Sequence, residues 1–166
     1  AAKWPMPCGG SRDSSLSSEL RALFTLRRAR IIADREAIDA ILCRHPGMEP
    51  NGPDLAGLAW LLGAIYNEVE EILKGVAKLH GEVLPSTNAW HRDLLEQMSA
   101  PTAARAALLS TPLREQLDEF RAFRHASRHA TFLDLDWPRM EPLFALLPRM
   151  LQAFFAACDV FVASSP

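Results

Sequence analysis

A chain of 166 residues is sized for one domain with a full hydrophobic core. Its 49% hydrophobic and 23% charged content is that of an ordinary globular protein, and a net charge of −2 excludes a chain-wide nucleic-acid surface, so any basic surface must be local. Three scattered cysteines, Cys8, Cys43 and Cys158, form no C-x-x-C pair, which argues against a disulfide framework and against a zinc site.

A reducing, cytoplasmic setting fits that cysteine usage best. No uninterrupted apolar run approaches the ~18 residues of a membrane span, so no membrane partner is expected. Residues 1–15 lack the apolar stretch of a secretory signal and read as a flexible or appended N-terminal tail; residues 16–166 read as a single helical domain.

From about Leu16 to Leu42 the pattern is helical, with serines at its start and Leu20, Phe24, Ile31, Ile38 and Leu42 on one face. Arg21, Arg27, Arg28, Arg30 and Arg35 take much of the remainder, either as a solvated face or as a phosphate-contacting surface. His45-Pro46-Gly47 and Pro50-Asn51-Gly52-Pro53 break the chain. The second helix opens at Asp54, a cap or first-turn acid. Leu55, Leu58, Leu62, Ile65, Val69, Ile72, Val76 and Leu79 follow at spacings of three and four. Ala59, Tyr66 and Leu73 widen that face, as in a helix packed against more than one neighbour. Asn67, Glu68, Glu70 and Glu71 are its polar side, expected to be solvated unless Asn67 or Glu70 orients a basic partner.

Gly81 to Asn88 reads as a turn region, Trp90 to Met98 as a short helix, and Ala103 to Leu109 as another short helical piece. Thr111 as cap and Pro112 at the first helical position start the next helix. Asp134 and Asp136 read as loop and cap residues. Asp136-Trp137-Pro138 opens the last helix, which buries Leu143, Leu147, Leu151, Phe154 and Phe161 and is expected to kink at Pro148. With no alternating strand pattern and no repeat, the fold class is all-α: a four-to-five-helix bundle.

The informative oddity is where the stripe Leu113, Leu117, Phe120 leads. Four residues on, it lands on Arg124, and a guanidinium at the end of an apolar stripe is costly to desolvate unless something polar meets it. Arg121, Arg124, His125, Arg128 and His129 fall within nine residues, with Arg121, His125 and His129 in one helical row and Arg124 and Arg128 in the next. No His-Glu-x-x-His, Walker loop, G-x-G-x-x-G or G-x-S-x-G is present, and flanking arginines would repel a dication, so neither a metal nor another cofactor is expected. Arginine with histidine is the chemistry of phosphodiesters. A guanidinium clamps phosphate bidentately, and an imidazole of ordinary pKa near ~6.5 moves the protons. From spacing alone, an ion-paired helix end with His129 as a core histidine is the somewhat better account of the run.

Arg124-His125-Ala126-Ser127-Arg128-His129 is similar to the R-x4–6-H motif of the HEPN superfamily, and Phe120 to Ala130 resembles its HepT-like toxin branch. Ile65 to Glu70 and Trp90 to Leu95 resemble the same branch, in the same order. The resemblance implies a homodimeric helical bundle acting on RNA as a metal-independent endoribonuclease through 2′-OH transesterification. It further implies the toxin of a bacterial type II toxin–antitoxin pair, with a nucleotidyltransferase-fold antitoxin as partner. Arg124 and His129 take the motif's catalytic positions, with Arg121, His125 and Arg128 assisting or binding RNA. The alternative is a non-catalytic HEPN-type module that binds nucleic acid, a nucleotide or a partner. One departure stands out: the branch commonly continues to His-x-Tyr, where the antitoxin can adenylylate the tyrosine, and here that position is Thr131. Modification would then fall on Thr131, or a steric block would replace it. A dimer would bring two copies of the cluster into one cleft, held by apolar surface on the second helix and at Phe154, Phe155 and Phe161.

Overall fold

The computed structural model describes residues 10–128 and 134–164, with side chains from residue 15 on. The described residues contain five α-helices: α1 (Gly10–Leu42), α2 (Gly52–Leu79), α3 (Trp90–Ser99), α4 (Thr111–Ser127) and α5 (Trp137–Ser164). Packing runs α1 on α2, α2 on α4, α4 on α5 and α5 back on α1, which closes a four-helix ring; α3 braces α2 and α4. The all-α bundle expected from the apolar spacing is the observed architecture.

The central helix is α2. Asn51 caps it, its side-chain oxygen accepting from the Asp54 N–H at 3.0 Å, so Asp54 is the first-turn acid rather than the cap. Asp54 also accepts from Arg44 and His45, and those hydrogen bonds, Arg44's foremost, hold its carboxyl below the ordinary range. Every apolar position expected on α2 from Leu55 to Val76 is buried, with Leu79 half-buried at the end. Tyr66, Phe120 and Phe154 are the largest fully buried side chains, and truncating such a ring costs about 3–5 kcal/mol.

Gly81, at φ +71°, turns the chain sharply after α2 and lets the Glu82 N–H reach back to the Ala77 carbonyl at 2.9 Å. Glu82 then meets Arg105, whose side chain is wholly buried. Its Nε lies 2.6 Å from Glu82 Oε1, and its NH groups donate to the carbonyls of Gln97, Ala100 and Ala106. This hub corrects the expected helical piece at Ala103–Leu109, which is irregular. The Leu108 and Leu109 N–H groups donate across to the Met98 carbonyl instead of along a helix. Ser110, one residue before Thr111, caps α4 by accepting from the Leu113 N–H. Helix α1 begins at Gly10, ahead of the expected Leu16.

Four of the five expected α1 arginines are ion-paired rather than simply solvated or free for phosphate, while Arg21 is exposed. Arg27 and Arg30 reach Glu68 at 2.8 and 3.4 Å, Arg28 reaches Asp159 at 2.9 Å and covers the Phe155 ring, and Arg35 pairs with Asp39 on its own helix. The expected dimer surface at Phe154 and Phe161 is likewise consumed inside the subunit, where both rings are core residues. Helix α5 runs unbroken through Pro142 and Pro148. It is long and apolar enough to cross a membrane, yet it contributes ten buried residues to the bundle core. Burial pushes the Cys158 thiol on this helix up to about 12, while Cys43 is exposed at the end of α1.

Candidate functional site

The end of α4 and the first half of α2 enclose a cleft of about 480 Å³. The α2 wall is built of small side chains, Ala56, Ala59, Gly63 and Ala64, with Trp60 at its lip and Asn67 at one end. Opposite stand Arg124, Ser127 and Arg128, with Leu135 from the following loop. The missing side chain at Gly63 makes the room: a Cβ there would lie 4.0 Å from Arg124 Cγ, in ordinary contact.

Arg124 sits where the buried stripe Leu113, Leu117, Phe120 predicts, half-buried rather than core. Its guanidinium carbon is 5.9 Å from the Tyr66 ring centroid, within reach of a cation–π contact. Its Nε is buried and has no hydrogen-bond partner among the described residues. A buried donor left open costs about 1–3 kcal/mol, a cost this side chain carries in the unliganded chain. Arg128 caps α4, its N–H returning to the Arg124 carbonyl, and its exposed side chain lines the cleft. Cations at a helix C-terminus are favoured by the helix dipole, worth about 0.3–1 kcal/mol each, which accounts for the basic composition here but not for the open Nε.

The other members of the run part company. Arg121 is held by Asp118 on its own helix at 2.5 Å and does not line the cleft; that hydrogen bond raises its pKa further. His125 is exposed and also lies off the cleft wall. His129 and Thr131 fall outside the described residues.

Tyr66 lies beneath Arg124, 1% exposed, its hydroxyl buried without a hydrogen-bond partner among the described residues. Burial and the nearby Glu70 push its pKa up, against a smaller opposing pull from Arg121 and Arg124, so it is a neutral phenol at any physiological pH. A chain whose single tyrosine is this deeply buried offers no phenol to a modifying enzyme. Glu70, expected on a polar face, is 3% exposed. Its carboxylate is hydrogen-bonded to His91 Nδ1, with Lys74 at 3.9 Å. The indole of Trp90 stacks on His91. The two shorter segments that resemble the HepT-like branch therefore meet in space, one contributing Glu70 and the other His91. Among the described residues no group of three His, Cys, Asp or Glu side chains stands in metal-binding arrangement.

A family model described as "HepT-like protein" matches residues 57–165, from the first turns of α2 to the end of α5. The chain belongs to the HepT-like family. No curated protein and no solved structure matches it. The HepT-like span contains every residue lining the α2–α4 cleft except Ala56, together with the R-x4-H run, and leaves α1 outside.

Sequence reasoning reached Arg124 and Arg128 and passed over Trp60 and Gly63. The signal for Trp60 was available: a large aromatic off the apolar stripe of α2, between Ala59 and Leu61, has no core position to occupy.

Proposed function

We propose that the chain is a metal-independent endoribonuclease, the toxin of a type II toxin–antitoxin pair, working in the cytoplasm against RNA and held in check by a nucleotidyltransferase-fold antitoxin. The observation that carries this reading is the half-buried Arg124, in no ion pair among the described residues, on the wall of a cleft that Arg128 also lines. A phosphodiester seated there takes hydrogen bonds from the guanidinium, which also offsets the negative charge that grows on the phosphoryl oxygens as phosphorus becomes pentacoordinate. The ribose 2′-oxygen attacks phosphorus, the bond to the 5′-oxygen breaks, and the products are a 2′,3′-cyclic phosphate and a free 5′-hydroxyl. The proton leaving the 2′-hydroxyl and the proton reaching the 5′-oxygen need a base and an acid, the role assigned to His129. A two-fold axis beside the cluster supplies the second imidazole from a second copy, so the working unit is a homodimer.

The direct test is cleavage of RNA in excess chelator with analysis of the product ends. Cyclic phosphate termini are expected; intact RNA would favour a binding module. DNA and 2′-O-methyl RNA should bind with similar salt dependence, because phosphates dominate affinity, and stay uncut, because the attacking hydroxyl is missing. Cutting of DNA at a comparable rate would exclude the 2′-OH route. For the dimer, mixed Arg124→Ala and His129→Ala subunits are expected to regain part of the activity that each parent lacks. A fully active monomer, verified by light scattering at assay concentration, contradicts it.

Gly63 offers a graded probe of the cleft. Gly63→Ala is expected to stabilise α2 by up to about 1 kcal/mol, a rise of about 2–4 °C in Tm, with RNA binding intact. Gly63→Leu is expected to fill the space beside Arg124 and weaken RNA binding at least ten-fold. Equal binding by both variants would place the substrate elsewhere.

A further inference from the structure

Trp60 is 70% exposed and stands between two hollows. On one side is the Arg124 cleft. On the other is a recess of about 360 Å³ between α1 and α2, and Ala64 and Asn67 line both. The hollows differ in charge. Arg124 and Arg128 face the first, whereas Asp34 and Glu68 face the second. Arg30 also lines the recess but is turned to Glu68, which Arg27 holds as well. Asp34 accepts no hydrogen bond from any described residue, and burial together with the neighbouring Glu68 keeps its carboxyl above the ordinary range.

A nucleotide has the matching asymmetry. Its phosphate is drawn to the arginines and repelled by the carboxylates, and its base is a flat ring whose edge carries hydrogen-bond donors. An exposed indole beside a phosphate-binding groove is the surface on which unpaired bases stack. We propose that Trp60 is the stacking platform for the base next to the phosphate held at Arg124, and that Asp34 accepts from that base's edge, selecting bases with an exocyclic amino group over uracil, whose single edge donor, N3–H, lies between two carbonyl oxygens that a carboxylate repels. This rests on the ribonuclease reading and adds to it a substrate preference: single-stranded RNA with adenine, cytosine or guanine, rather than uracil, at that position.

The test uses the full chain and short 2′-O-methyl oligonucleotides, which the proposed reaction cannot cut, with adenine, cytosine, uracil or no base at the central position. Trp60→Ala is expected to weaken binding of the adenine and cytosine oligonucleotides about ten-fold, the scale of one stacked base, and Trp60→Phe to retain most of the affinity. The abasic oligonucleotide should bind wild type and Trp60→Ala alike. Asp34→Asn should erase the preference for adenine and cytosine over uracil. Three results overturn the proposal: unchanged affinity in Trp60→Ala, an equal loss for the abasic oligonucleotide, or a drop in oligomer mass showing that Trp60 belongs to a contact between copies. A base preference that survives Asp34→Asn removes the role of Asp34. Wild type that neither binds nor cuts RNA fails the ribonuclease reading itself; wild type that does both while Trp60→Ala matches it fails only the platform.

Discussion

Arg124→Ala and His129→Ala are each expected to lower RNA cleavage by about 10²–10⁴-fold, the range in which charge clamping and proton transfer contribute. The fold should survive the first change. Arg124 makes no ion pair among the described residues, and its contact with the Tyr66 ring is worth about 0.5–2 kcal/mol, against which the variant no longer buries an open Nε. Circular dichroism and molecular mass should therefore match wild type. Arg124→Lys separates charge from shape, since an ammonium supplies the positive charge without the planar fork; an activity between wild type and Arg124→Ala is expected. Full activity in Arg124→Ala would end the assignment, and loss of helical signal would mark the cluster as structural.

Arg105→Ala is expected to be the most destabilising single change outside the apolar core. It strips the charged partner from Glu82 and takes the Arg105 hydrogen bonds from the carbonyls of Gln97, Ala100 and Ala106. Removing one member of a buried pair costs about 3–5 kcal/mol. That corresponds to a fall in Tm of about 10 °C, measurable by thermal melting. The pair also has a pH signature. Burial works to raise the Glu82 pKa, but hydrogen bonds from Arg105 and Gln97 outweigh it and hold the carboxyl below its ordinary value. A depressed carboxylate contributes stability above the unfolded pKa, about 4.3–4.5, and loses it as pH falls through the folded value. Wild type should accordingly lose stability on acidification below about pH 4.5 more steeply than Arg105→Ala. A variant that melts within two or three degrees of wild type, with an identical acid profile, would show that the hub holds nothing.

The residues that revealed themselves in the sequence did so through local periodicity. Helix α2 could be read because its burial repeats every three to four residues, and Arg124 because it interrupts such a repeat at the end of α4. Contacts across long sequence separations left no such trace. Arg27 and Glu68 are 41 positions apart, and nothing around either residue announces the other, so the α1 arginines and the acidic side of α2 each read as solvent-facing. The alanines of 103–109 favour helix locally, yet the buried Arg105 side chain claims the surrounding carbonyls and sets the path of the chain. That Glu70 could orient a basic partner was legible, but not which one, since His91 lies on the next helix. The cleft was invisible because a cavity is made by what two helices lack, here the side chain of Gly63 and the bulk of the alanines around it.

The contacts between α1 and α5 also fix where attachments to this molecule would stand. Arg28 meets Asp159, Arg21 and Ala163 border one recess, and His80 at the far end of α2 packs its ring against Phe161. The early turns of α1 and the closing turns of α5 thus share the end of the bundle near His80. The Arg124 cleft opens against Ala56 to Asn67, roughly 20–36 Å away along α2 at 1.5 Å per residue. A fluorophore or surface tether joined beyond α5 would sit at the pole opposite the cleft, leaving its mouth clear for single-molecule observation of a strand entering.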